Sequence, residues 1–189
     1  MKVIKPTHSH IDSYLQALKR GWSETIGEID ADKAEKRAAE INQDRDEFLE
    51  LFDDLDAKAS PYLLPDQTVA YAIPSVRRWI WDNQSDQFCG TLSLRWQTGT
   101  TDLPYHLMGH IGYTVPPWMQ GKGFASFGLK AMIEIAKTKS LPFVYLVTDL
   151  DNLASQRVII KNSGQLMGPF TKPAMYGSRA ALKFKIQCT

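Results

Sequence analysis

Between Phe88 and Ser126 the chain alternates as a strand, stops at Pro116-Pro117, turns through Gly121 and Gly123, and restarts as a helix. No other stretch limits the fold as tightly. Proline cannot donate to a ladder, so pairing ends at the two prolines. The glycines open backbone conformations closed to other residues. The first N–H groups of the helix that follows have no intrahelical partner and sit at its positive end. Such a corner binds anions, and Lys122 adds charge at the rim.

The periodicity on either side supplies the other elements. Val3 and Ile4 read as a short strand, and Ser9, three residues before Asp12, reads as the start of a helix carrying Ile11, Tyr14, Leu15, Leu18 and Trp22. A second helical tract is expected from about Asp32 to Lys58, ended by Pro61 and Pro65. Trp79 to Trp81 and Phe88 to Trp96 flank the polar cluster Asp82 to Asp86 as a hairpin, and His106 to Val115 is the next strand. A helix from about Ser126 to Lys139 turns Leu129, Met132, Ile133 and Ala136 inward. Phe143 to Thr148 is a buried strand, and a helix from Asn152 is expected to close on Gly164 as a left-handed cap. Leu166 to Phe170 and Ala180 to Ile186 are the last strands. The order β-α-α-β-β-β-α-β-α-β-β in 189 residues predicts one α+β domain spanning residues 1–189.

A formal charge of +1 gives no overall bias toward nucleic acid or membrane. The charge is segregated, however: residues 28–58 hold 12 acidic and 5 basic residues, whereas residues 120–189 hold 10 basic and 3 acidic. Cys89 and Cys188 form no disulfide framework, and the four histidines, His8, His10, His106 and His110, show no metal-ligand spacing. The start lacks a signal-peptide pattern and no apolar run reaches ~18 residues, so a cytoplasmic protein without a metal is expected.

Two phosphate motifs fail on this corner. The P-loop pattern requires Ser or Thr after Lys122, where Gly123 stands, and a dinucleotide fingerprint lacks its ribose-binding acid near Lys139 to Leu141. Gln120-x-x-Gly123-x-Ala125 after Tyr113-Thr114-Val115-Pro116-Pro117 instead resembles the Gln/Arg-x-x-Gly-x-Gly/Ala signature of the GCN5-related N-acetyltransferase (GNAT) family. Asp149 to Ser155 and Lys161 to Gly164 are similar to that family's next block, in its Asn-x-x-Ser form.

The resemblance implies a mixed, mostly antiparallel twisted sheet flanked by helices and splayed between its fourth and fifth strands, with acetyl-CoA in the gap. It implies that the amides of Gly121, Lys122, Gly123, Phe124, Ala125 and Ser126 hold the pyrophosphate beside Gln120. Tyr113, Thr114 and Val115 would pair with the pantetheine arm, and Asn152 would contact it as well. A primary amine, small and cationic or on a peptide, would attack the thioester directly, with the Val115 N–H as oxyanion donor. Gly109 stands where some relatives carry a catalytic Glu, so His110 is the nearest titratable candidate for the base, against a packed structural role. Ile159 stands where many relatives place a proton-donating tyrosine, which leaves Ser155 as the donor to the departing thiolate. Asp149 is read as an amine-orienting acid or a helix cap, and Tyr113, Trp79, Trp81 and Trp96 as acceptor-pocket lining or core. A non-catalytic acyl-CoA-binding module is the alternative, and a homodimer is compatible with either.

Overall fold

The computed structural model describes residues 1–24 and 29–188. Its elements are β1 (Lys2–Ile4), α1 (His8–Lys19), α2 (Ala31–Gln43), α3 (Arg45–Glu50), β2 (Asp53–Asp54), β3 (Tyr62–Leu63), β4 (Val69–Ala70), β5 (Ser75–Asp82), β6 (Gln87–Arg95), β7 (Ile111–Thr114), α4 (Phe124–Thr138), β8 (Phe143–Asp149), α5 (Leu153–Lys161), β9 (Gln165–Thr171) and β10 (Ala180–Gln187). One sheet runs β1-β5-β6-β7 with β2 on β5, another runs β8-β10-β9, and β3 pairs with β4. This is an α+β fold in which β1 and β5, β8 and β10, β9 and β10, and β3 and β4 pair antiparallel. The strands taken as fourth and fifth of the mixed sheet, β7 and β8, belong to different sheets. Among the described residues no helix is long and apolar enough to cross a membrane.

The chain forms two compact units. The first comprises Met1–Asp53, Arg77–Leu92 and Tyr113–Gly128. Its core is aromatic: Tyr14 stacks on Trp79 at 4.8 Å and meets Phe88 edge-on at 5.3 Å. Tyr14, Ile11, Leu15 and Leu18 make the buried stripe of α1, and Ala34, Ala38 and Ile41 that of α2. Trp79 and Trp81 are buried in this core, whereas Trp96, in the second unit, is buried and also lines a cavity with Lys139 and Leu141.

The second unit comprises Asp54–Val76, Ser93–Gly112 and Leu129–Thr189. Val144 and Leu146 of β8 lie opposite Ile186 and Phe184 of β10, all four buried. On the other face Lys183 lies 3.9 Å over the Tyr145 ring and Lys185 lies 4.0 Å over Phe143.

Four expectations are corrected. The first helix starts at His8 behind Thr7, whose N–H donates to His10 Nδ1 at 3.1 Å, so Ser9 already lies inside it. The second tract breaks at Asp44, which takes an extended conformation and caps α3 through its side chain; the helix ends at Glu50, well before the prolines. The strand expected from His106 begins only at Ile111. At the end of α5 it is Ser163, with φ 64°, that takes the left-handed conformation. Gly164 is required for space instead, since a Cβ there would lie 2.3 Å from Ile159 Cγ2.

Candidate active site

The glycine corner belongs to the first unit. A short 3-10 turn at Pro117–Met119 follows β7, with the Met119 N–H on the Pro116 carbonyl at 2.8 Å. Gly121 and Gly123 then take φ of 75° and 85°, and a Cβ at either would meet nothing within 4 Å. The glycines are therefore not demanded by packing: they serve a left-handed backbone beside open space. The Phe127 N–H donates to the Gly123 carbonyl at 3.0 Å, which makes Gly123 the residue before the first turn of α4 and leaves Phe124 and Ala125 as its first amides. Lys122 is exposed, its Nζ 3.9 Å from Met119 Sδ. Gln120 donates through Nε2 to the Val115 carbonyl at 3.1 Å, bracing the strand end. Tyr113, Thr114 and Val115 are half-buried, and a Cβ on Gly90 would lie 2.5 Å from the Thr114 carbonyl, so β6 can approach β7 this closely only at glycine.

The second unit holds the other candidates. The His110 N–H donates to the Tyr145 carbonyl at 2.8 Å, and the Tyr145 N–H donates to His110 Nδ1 at 3.0 Å. An imidazole thus takes the place of a partner strand's carbonyl. Gly109 makes the approach feasible, because a Cβ would lie 2.7 Å from the Tyr145 oxygen. Arg95 closes the other side, donating through Nε to the Gly109 carbonyl at 2.9 Å. Burial lowers the His110 pKa from 6.5 to about 4, despite the Thr101 carbonyl nearby, to which Nε2 makes no hydrogen bond of ordinary length. The sequence candidate for the base is therefore a buried clasp, with Nδ1 committed to Tyr145.

This clasp has a pH signature. Between about pH 4 and 6.5 the unfolded chain binds a proton at His110 that the native state refuses, so stability falls as pH drops through that window. The span corresponds to roughly 3 kcal/mol. His110→Asn, which keeps an acceptor without a titrating ring, should flatten that part of the stability curve in denaturant unfolding followed from pH 4 to 7.

Asn152 caps α5: its Oδ1 accepts the Ser155 N–H at 3.0 Å. Asn152 is exposed and Ser155 half-buried, one turn apart, while Ile159 is buried beneath. The Asp149 carboxylate does not cap this helix: Oδ1 is paired with Lys172, a lysine only 4% exposed, while the Asp149 side chain as a whole stays 28% exposed. Nothing in the sequence around Thr171-Lys172-Pro173 marks that lysine, since a buried ammonium is revealed only by its partner.

The acidic tract is largely committed. Asp30 and Asp44 cap α2 and α3, Asp53 pairs with Lys5 and Arg78, and Asp54 accepts from the Lys58 and Ala59 amides. Glu40 and Asp56 are in ion pairs with Arg37 and Lys58, and Asp46 is hydrogen-bonded to His8 Nε2. Glu28, at its start, lies outside the described residues.

The GNAT acetyltransferase domain model matches residues 22–164. The chain belongs to that family, well over half of it lying within the match, and is an acetyltransferase. Its fold is shared by a GNAT-family acetyltransferase from Bacillus anthracis, 15% identical, with 98% of this chain and 93% of that one covered at a TM-score of 0.59. A spermidine N-acetyltransferase from Vibrio cholerae is 12% identical over 100% and 95% of the two chains, TM-score 0.58. A microcin C7 self-immunity acetyltransferase, solved with acetyl-CoA and AMP, is 11% identical over 98% and 91%, TM-score 0.58. No curated protein matches the sequence.

Proposed function

We propose that residues 1–189 act as one acetyl-CoA-dependent N-acetyltransferase domain whose acceptor is a primary amine, small and cationic or on a peptide. The observation that carries this is the pair of left-handed glycines, 121 and 123, beside open space at the start of a 15-residue helix. The amides of Gly121 to Ser126 would take the pyrophosphate, with Lys122 at its edge. Gln120 would stand beside it, one Nε2 proton bracing the Val115 carbonyl and the second left for the cofactor. The backbone of Tyr113 to Val115 would pair with the pantetheine arm, and Asn152 would contact it too. Family membership supports acetyl-CoA as donor.

In this reading a neutral amine attacks the thioester carbonyl, forming the new C–N bond, and the Val115 N–H stabilises the oxyanion. The C–S bond then breaks and the amine's proton leaves to water. His110 is given no part in proton transfer, being buried with Nδ1 already accepting the Tyr145 N–H and its basicity weakened by that burial. Ser155 offers its hydroxyl proton to the departing thiolate and is reprotonated by the water that took the amine's proton. Because a thiolate of pKa near ~8.5 already leaves readily, Ser155 assists rather than decides. Ser155→Ala should lower kcat roughly tenfold or more with CoA affinity little changed, and steady-state kinetics with an identified acceptor checks this.

A spermidine N-acetyltransferase shares this fold, which agrees with a cationic acceptor; the net negative charge of residues 28–58 would favour a cation as well, although several of its carboxylates are engaged in caps and ion pairs. The reading is tested by thiol release from acetyl-CoA across polyamines, basic peptides and uncharged amines.

A further inference from the structure

Lys172 follows β9 directly, and its N–H donates to the Arg179 carbonyl at 3.0 Å, closing the β9–β10 loop at its base. Its side chain reaches the last residue of β8, where the ammonium pairs with Asp149 Oδ1, an oxygen that is buried and takes no other hydrogen bond. An ion pair in such a place contributes little net stability, because desolvation offsets the attraction and apolar residues of similar volume do as well. What it does supply is geometry. The Asp149 carbonyl accepts the Asn152 N–H at 3.1 Å and Gln156 Nε2 at 3.3 Å, and the same Nε2 donates to the Leu150 carbonyl at 2.9 Å. Asn152 in turn holds the Ser155 N–H. A continuous chain of polar contacts therefore runs from Lys172 through Asp149 to Asn152 and Ser155.

We propose that Lys172 is a positioning residue: through Asp149 it fixes the turn at residues 149–152 from which Asn152 and Ser155 meet the pantetheine arm of acetyl-CoA. This rests on the role given to those two residues above. Lys172 itself touches neither substrate. Its effect is confined to how well Asn152 and Ser155 are placed, and misplacement of a binding group by an ångström costs about one to two decades.

The test uses Lys172→Met, which strands the Asp149 carboxylate, and the double variant Asp149→Leu/Lys172→Met, which replaces the pair by apolar groups and keeps the protein folded should the single variant fail. The readouts are KM for acetyl-CoA and for the acceptor, kcat, and hydrogen exchange at the Ser155 amide. The expected result in the folded variants is a KM for acetyl-CoA raised roughly tenfold to a hundredfold, an unchanged acceptor KM, and faster exchange at Ser155. Restored thermal stability in the double variant, with KM still raised, separates positioning from a purely structural role. Wild-type KM and wild-type Ser155 protection in the folded double variant would overturn the proposal alone. Wild-type protein with no affinity for acetyl-CoA would overturn it together with the reading on which it rests.

Discussion

Gly123→Glu should reduce CoA affinity by about three orders of magnitude while the protein remains folded. A carboxylate placed ~4 Å from a phosphate, at the effective dielectric of a protein surface, opposes binding by about 4 kcal/mol, which is about a thousandfold. The apo protein has room for the change, since nothing lies within 4 Å of a Cβ at this position and the remaining cost is the strain of φ 85°. Gly123→Ala supplies the control. It carries no charge, meets no protein atom within 4 Å and shares the strain of φ 85°, so the difference between the two variants in calorimetric titration reports the charge. Affinity unchanged in both folded variants would remove the pyrophosphate from this corner.

Gly109→Ala should unfold the protein about 10 °C earlier. A Cβ there would stand 2.7 Å from the Tyr145 oxygen and 3.2 Å from Leu146 Cα, and both atoms are backbone of β8, unable to yield without moving the strand. Overpacking of that kind costs about 1–3 kcal/mol, and displacing Tyr145 weakens two hydrogen bonds to His110 worth about 1 kcal/mol each. At about 2–4 °C per kcal/mol for a chain of this size, the shift is plain in a thermal melt. Gly112→Ala is the contrast: its Cβ would meet Ser93 Oγ at 3.1 Å and Arg95 Nη2 at 3.4 Å, side-chain ends that can swing aside. Equal melting of the two variants would mean that the approach of Gly109 to β8 is not tight in solution.

Much of this fold was legible because strongly periodic segments announce themselves. Leu129, Met132 and Ala136 are buried on α4 as their spacing requires, and the strand at Phe143 and the two final strands stand within a residue or two of expectation. The tract from Asp32 to Lys58 failed for a physical reason. An aspartate on a solvated helix face and one that caps a new helix have the same composition, and only the backbone at Asp44, with φ −144°, tells them apart. The short β3–β4 hairpin was missed because two-residue strands carry no period. At the site, the glycine corner could be read from residue type alone, since conformational freedom is a property of glycine itself. The roles of His110, Asp149 and Gln120 could not, because each depends on a partner distant in sequence or on the path of the backbone: Tyr145, Lys172 and the Val115 carbonyl. Strand alternation gave His110 a face; it could not show an imidazole standing in for a backbone carbonyl.

Catalysis of acetyl transfer to an amine is tested by following free thiol released from acetyl-CoA by the purified protein, with polyamines, basic peptides and uncharged amines offered in turn and CoA binding titrated alongside. The expected result is micromolar-range binding of acetyl-CoA, on the order of common substrate affinities, and release that depends on the amine and grows with its cationic character. Binding with no release on any amine would contradict it and make the chain an acyl-CoA-binding module.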